Sequence, residues 1–359
     1  MFATHRQPLA EPRRQLHSGP RHHKHPSGGR RGRFDSLQTG NRRVTSSHSA
    51  PSDSHLIQPA PLRPGDRVHV VSPAGPVVPE LLEEGLATLR AWELDVVVDE
   101  AVYARRPGAD YLAGEDQARA AAFLNAWRDP QCRALFCSRG GFGSQRMLPL
   151  LNDLDVRAQP RHLVGFSDIT ALHLHLAGNL RLQTWHGPVV KSFALHRDDP
   201  QDSVEHLRAL LFGEKERTWS IEGLRTLRPG RAQGRLLGGN LCVLVHQLAT
   251  DFCPSLHDAI LVVEDVGEVD YRIDRLFTAL RHSLKGQRLA GLVLGDFSDA
   301  AGVYVDEQGT DAFLAMLARE FKCPVVAGAP VGHRSPNLTL PMGAPAELNA
   351  DQGRLTLLT

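Results

Sequence analysis

The chain has 359 residues and a formal net charge of +1. At roughly 150 residues per domain this gives room for two packed domains, and a charge so near zero excludes the strong field expected of a nucleic-acid or anionic-membrane binder. No apolar run approaches the roughly 18 residues of a membrane-spanning helix, and the five cysteines show no Cys-x-x-Cys spacing, so they fit the reduced, mostly buried thiols of a cytoplasmic protein.

Residues 1–57 are rich in Arg, His, Ser, Pro and Gly and nearly free of acids. Such a segment cannot bury enough surface to offset its ordering entropy, and it is expected to be a disordered basic extension. Its His22-His23 and His25 fix no metal geometry. Order is expected from Pro61-Leu62-Arg63-Pro64-Gly65-Asp66 onward. Arg67 to Ser72 reads as a strand, Glu80 to Trp92 as a helix with a leucine face, and Asp95 to Asp99 as a second strand. An alanine-rich helix from Asp116 to Trp127 and a strand from Ala134 to Ser138 follow. Strands alternating with helices predict a parallel sheet in an α/β domain, placed at 58–195.

The strand ending at Ser138 runs into Arg139-Gly140-Gly141-Phe142-Gly143-Ser144. Glycines this dense mean unusual backbone dihedrals or close approach to a ligand. The Gly-Lys-Ser/Thr of a phosphate loop is missing, so backbone N–H groups aimed at an oxyanion are the better reading. Next, His162-Leu163-Val164-Gly165-Phe166-Ser167-Asp168-Ile169-Thr170 reads as strand, sharp turn and helix. Ser167 on that turn is placed like the serine of a nucleophile elbow, although the second glycine of Gly-x-Ser-x-Gly is absent. A plain helix cap is the alternative. His186, in Thr184-Trp185-His186-Gly187-Pro188, is either a ligand or base, or a hydrogen-bonded wall residue.

Residues 196–230 are polar and irregular apart from a helix near Ser203 to Leu211, and read as a connection between domains. The second domain is placed at 231–359. Leu237-Gly238-Gly239-Asn240 leads into an apolar helix, and Asp258 to Glu268 is a buried strand ending in carboxylates. A helix from Tyr271, a strand at Gly291 to Gly295, a helix from Thr310 to Phe321 and a strand at Pro324 to Ala327 precede Gly332-His333.

A serine nucleophile needs a base, and the base an orienting acid. Among the histidines, only His333 follows a strand and a glycine on an open loop. Glu264 ends the most apolar strand, and the order Ser, acid, His is that of α/β serine hydrolases. The competing use of Glu264 is an ion pair with Arg272 or Arg275. The cluster Glu264, Asp265, Glu268, Asp270, Asp274 does not have the spacing of an ion-binding loop, and no metal or cofactor is expected.

Several segments taken together resemble the LD-carboxypeptidase family of serine peptidases, which includes muramoyl-tetrapeptide carboxypeptidases and microcin C immunity peptidases. They are Arg63-Pro64-Gly65-Asp66 with Ser72-Pro73-Ala74, Ser138 to Gly143, Gly165 to Thr170, Leu237 to Leu241, and Glu264-Asp265-Val266-Gly267-Glu268 through Arg275. The resemblance implies an N-terminal parallel-sheet α/β domain and a smaller C-terminal α/β domain of barrel-like character. It implies a triad at Ser167, Glu264 and His333, and an oxyanion hole from the amide of Asp168 and one of Gly140, Gly141 or Gly143. The implied reaction releases terminal D-alanine from a murein tetrapeptide in the cytoplasm, by a homodimer without a cofactor. Arg139, Asn240 and His186 are the candidate substrate-binding residues. Cleavage of peptidyl- or aminoacyl-nucleotide conjugates, as by immunity peptidases, and general esterase action are the alternatives. Ala249-Thr250-Asp251 departs from the family's Gly-Thr and bears on substrate range.

Overall fold

The structure, a computed structural model, describes residues 55–358 apart from 198, 200, 217 and 299–306. Most of the extension expected at residues 1–57 lies outside the described residues. Its last residues belong to the fold, since the Ile57 N–H donates to the Arg181 carbonyl at 2.7 Å.

The first sheet is built from β1 (Arg67–Val71), β2 (Asp95–Val98), β3 (Cys132–Cys137), β4 (His162–Gly165) and β5 (Thr184–His186). They run parallel in the order β5-β4-β3-β1-β2. In β3 the side chains alternate between two apolar clusters: Ala134 and Phe136 face one layer, Leu135 and Cys137 the other. Both faces are covered, which is why these strands read as continuous apolar runs. Helices Pro79–Ala91 and Asp116–Arg128 cover the sheet within those two clusters.

The second sheet has a parallel centre: β8 (Arg231–Asn240), β9 (Ala259–Val266), β10 (Gly291–Ser298) and β11 (Val325–Ala327). Antiparallel strands extend both sides. β7 (Arg225–Arg228) pairs with β11, while β13 (Pro345–Asn349), β14 (Arg354–Leu358) and β6 (Thr218–Ile221) continue from β8. The order β6-β14-β13-β8-β9-β10-β11-β7 is an open sheet, so the barrel-like character implied by the resemblance is not a closed barrel.

Two features cross the sequence-based divisions. The 196–230 stretch supplies helix Ser203–Leu211 together with β6 and β7, so it builds structure as well as connecting it. Beyond the second sheet's β11, the chain returns to add β12 (Leu340–Met342) antiparallel to β5 at the edge of the first sheet. The unit from Asp53 to Thr359 is compact as a whole.

Candidate active site

The loops that follow β3, β4, β9 and β11 all leave the carboxyl ends of parallel strands, where open α/β sheets present their sites. β4 ends at Gly165, and the backbone turns so sharply that Ser167 takes a φ of +64°. That is a strained value for a residue with a side chain, and it is how an elbow serine is held out of its strand. A helical run follows directly from Ser167.

His333 faces Ser167 from the second sheet. Ser167 Oγ lies 3.0 Å from His333 Nε2, and His333 Nδ1 lies 2.7 Å from Glu264 Oε2. Glu264 is completely buried and can only accept, so Nδ1 carries the proton and Nε2 is the acceptor towards Ser167. Glu264 makes no ion pair with Arg272; that arginine pairs with Glu268 at 3.5 Å. Burial acts to lower the His333 pKa, but the charge of Glu264, its hydrogen bond, and then Asp265 and Asp296 outweigh burial and raise it. The imidazole remains one-fifth exposed, open to a substrate, with the Phe166 ring 4.9 Å away.

Two glycines make this approach possible. A side chain at Gly140 would put its Cβ 2.9 Å from Ser167 Cβ and 3.0 Å from its Oγ, so the glycine loop lies directly against the serine. Gly332, at φ +138°, would put a Cβ 2.8 Å from Asp296 Cβ and 3.2 Å from Glu264 Oε2. Only a residue without a side chain lets the chain pass Glu264 and deliver His333 over it. The loop is fixed further along, where the Gly332 N–H donates to Asn337 Oδ1 at 3.2 Å and the Asn337 N–H donates to Ser203 Oγ at 2.9 Å.

The other sequence-predicted residues fall into place differently. Arg139 Nη1 donates to the Pro76 carbonyl at 2.8 Å, which holds the glycine loop against the segment after β1. Asn240 is buried and spends its amide on structure: Oδ1 caps the helix Leu241–Gln247 at the Val243 N–H, and Nδ2 donates to Asp265 at 2.9 Å. Its own N–H donates to Thr170 Oγ1 at 2.8 Å, tying the second sheet to the serine's helical run. His186 has no exposed surface and neither ring nitrogen has a hydrogen-bond partner, so it is a wall residue behind Phe166 rather than a contact for a peptide. Burial, with help from neighbouring His173 and His333, pushes its pKa down to about 3. Asp265 is pushed up to about 6 by burial and by the adjacent Glu264 charge.

Sequence reading missed Arg119, Ser144 and the side chain of Asp168. Arg119 is buried in helix Asp116–Arg128, and its Nη1 donates to the carbonyls of Gly143, at 2.9 Å, and Pro73. The available signal was an arginine one turn before Phe123 on the apolar face of that helix. Among the described residues no group of His, Cys, Asp and Glu is placed to hold a metal ion. No helix among them is long and apolar enough to cross a membrane.

A serine, a histidine and a buried carboxylate in hydrogen-bond series, with a glycine loop against the serine, can carry out acyl transfer. The comparisons place the chain in a family of peptidases. The N-terminal domain of the LD-carboxypeptidase family matches residues 68–187, and its C-terminal domain matches 233–348. A putative carboxypeptidase of Streptomyces coelicolor is 43% identical over 304 residues, covering 84% of this chain and 96% of the relative. The murein tetrapeptide carboxypeptidase of Pseudomonas aeruginosa is 31% identical over 318 residues, covering 85% and 99%. The crystal structure of muramoyltetrapeptide carboxypeptidase from Oxalobacter formigenes aligns with a TM-score of 0.67 at 25% identity, covering 81% of this chain and 97% of that one. With both domains of the family matched in order, this chain belongs to the LD-carboxypeptidase family of peptidases.

Proposed function

We propose that the protein is a serine L,D-carboxypeptidase that releases terminal D-alanine from murein tetrapeptides, with Ser167 as nucleophile, His333 as general base and acid, and Glu264 as the orienting carboxylate. The observation that carries this reading is the unbroken series from Ser167 Oγ through His333 to Glu264, at 3.0 and 2.7 Å. His333 Nε2 takes the hydroxyl proton as Ser167 Oγ attacks the carbonyl of the L-centre. Glu264 stabilises the imidazolium that forms. The oxyanion is taken by the Asp168 N–H and by an amide of the glycine loop. Gly140 is the glycine that lies against Ser167, whereas Gly141 lies against Gly75 and Gly143 against Leu112 and Arg119. His333 then returns the proton to the leaving D-alanine amine, and water releases the acyl-enzyme by the same steps in reverse roles.

A carboxypeptidase must also recognise a free carboxylate, and Arg139, at the foot of the glycine loop, is the cation we assign to it. Tyr111 and Phe142, exposed and with ring centroids 6.1 Å apart, stand at the same loop.

The test is release of D-alanine from murein tetrapeptide by the wild type and by Ser167→Ala. The wild type is expected to be active and the variant to lose at least about 10³-fold in kcat. Activity that survives the substitution would remove Ser167 from the mechanism. Turnover only of simple esters, or only of aminoacyl-nucleotide conjugates, would reassign the substrate while leaving the triad intact.

A further inference from the structure

The reading above uses Asp168 only for its backbone N–H, yet its side chain makes the most concentrated set of contacts near the nucleophile. The carboxylate is buried, and Oδ2 accepts from the Ser144 N–H at 2.8 Å and from Ser144 Oγ at 2.7 Å. Ser144 Oγ also lies against the Asp168 carbonyl. Ser144 is fully buried and is the first residue after the glycine loop. Beside it the Gly143 carbonyl accepts from Arg119 at 2.9 Å, and Arg119 pairs with Asp116, which Arg146 holds in turn. A connected network therefore runs from the residue after the nucleophile to the Gly143–Ser144 end of the loop, and Arg119 carries it on to the Pro73 carbonyl after β1.

The chemistry makes this placement significant. A bare carboxylate beside a developing oxyanion would oppose it, because like charges repel strongly where water is excluded. Here burial pushes the pKa of the Asp168 carboxyl up, and its Oδ2 is directed away onto the N–H and hydroxyl of Ser144, with the Arg119 guanidinium nearby. An oxyanion hole works only if its donors are fixed before the charge appears, and in this site the donors belong to two separate segments, the turn after β4 and the loop after β3.

We propose that the Asp168 carboxylate and Ser144 form a positioning clamp that holds the two halves of the oxyanion hole in register. The clamp rests on the assignment of Ser167 as nucleophile, but not on the identity of the peptide. It acts on the tetrahedral step and not on substrate binding.

The experiment uses the full chain and a fluorophosphonate probe, whose reaction with an active serine passes through the same oxyanion site. Ser144→Ala is expected to lower kcat on the order of 10- to 100-fold, with KM changed less than about twofold, and to slow fluorophosphonate labelling by the same factor. The acid limb of the pH profile should stay where it is, since His333 and Glu264 are untouched. Asp168→Asn, which keeps an acceptor oxygen and the side-chain volume, should retain more activity than Asp168→Ala. Full labelling and full kcat in Ser144→Ala would overturn the clamp, as would a rise in KM at constant kcat. A wild type that is labelled at a residue other than Ser167, or not at all, would overturn the nucleophile and the clamp with it. A labelled wild type that spares murein peptides would overturn only the substrate.

Discussion

His333 Nδ1 sits 2.7 Å from a carboxylate with no exposure to water, and under the proposed mechanism this one contact sets the pH behaviour of catalysis. A general base works as the neutral ring, and here Glu264 outweighs burial and raises the His333 pKa above the ordinary value. Activity is therefore expected to fall as pH drops through that raised value, giving an acid limb above the usual 6.5 of histidine. Glu264→Gln removes the charge that raises it, so the limb should move to lower pH while kcat falls on the order of 10²- to 10⁴-fold, checked by kcat against pH. Gly140→Ala tests the close approach from the other side. Its Cβ would sit 2.9 Å from that of Ser167, so loop or serine must shift, and kcat is expected to fall about 100-fold with stability little changed.

At the level of elements, the carboxyl end of β8 holds the second sheet to the serine's helical run. Asn240 caps the helix Leu241–Gln247, donates to Asp265 and, through its N–H, reaches Thr170. Asn240→Ala removes a helix cap and a hydrogen bond to a buried carboxylate, and should cost on the order of 2 kcal/mol in urea denaturation. The same change should raise Asp265 above its value of about 6, because one of the bonds that favours its charged form is lost.

Elements of this kind were legible in the sequence to very different degrees. Parallel strands covered on both faces, such as β3 and β9, announce themselves as unbroken apolar runs, and Glu264 stood out because it ends one of them. The antiparallel flank did not. Thr218–Ile221 and Arg225–Arg228 are short edge strands with exposed polar residues, so 196–230 read as irregular. β12 is three residues long and contains a proline. The candidate triad was readable because Ser167 and His333 follow strands and Glu264 lies near the end of one. The Ser144–Asp168 network was not, since it pairs a serine and an acid across 24 positions, with no local pattern to connect them.

For the whole molecule, buried and partly buried histidines set the response to acid, His196 and His175 among them. Burial holds His162, His173 and His206 down at about 4 and His186 at about 3. Their folded-state values lie below the unfolded 6.5, so below that pH the unfolded chain binds protons that the folded chain refuses. Stability is then complete above about pH 6.5 and is lost as pH falls towards 4, at about 1.4 kcal/mol per pH unit for each histidine. His333, Asp265 and Asp168, all raised, oppose the trend, but they are fewer. Against a total of roughly 5–15 kcal/mol, thermal unfolding followed between pH 7 and pH 4.5 should show a steep fall in Tm. A flat profile would mean that these rings are not held neutral.

The return of β12 to the first sheet also concerns the order in which the chain is made. Leu340–Met342 closes the edge beside β5 only after Glu264 and His333 have been synthesised, and the His333 loop is the segment it anchors. On the proposed triad, a nascent chain that has made its serine turn therefore lacks a working site until Leu340–Met342 has also been made. A chain stopped before Leu340 should therefore label far more slowly with a serine-directed probe than one that includes β12.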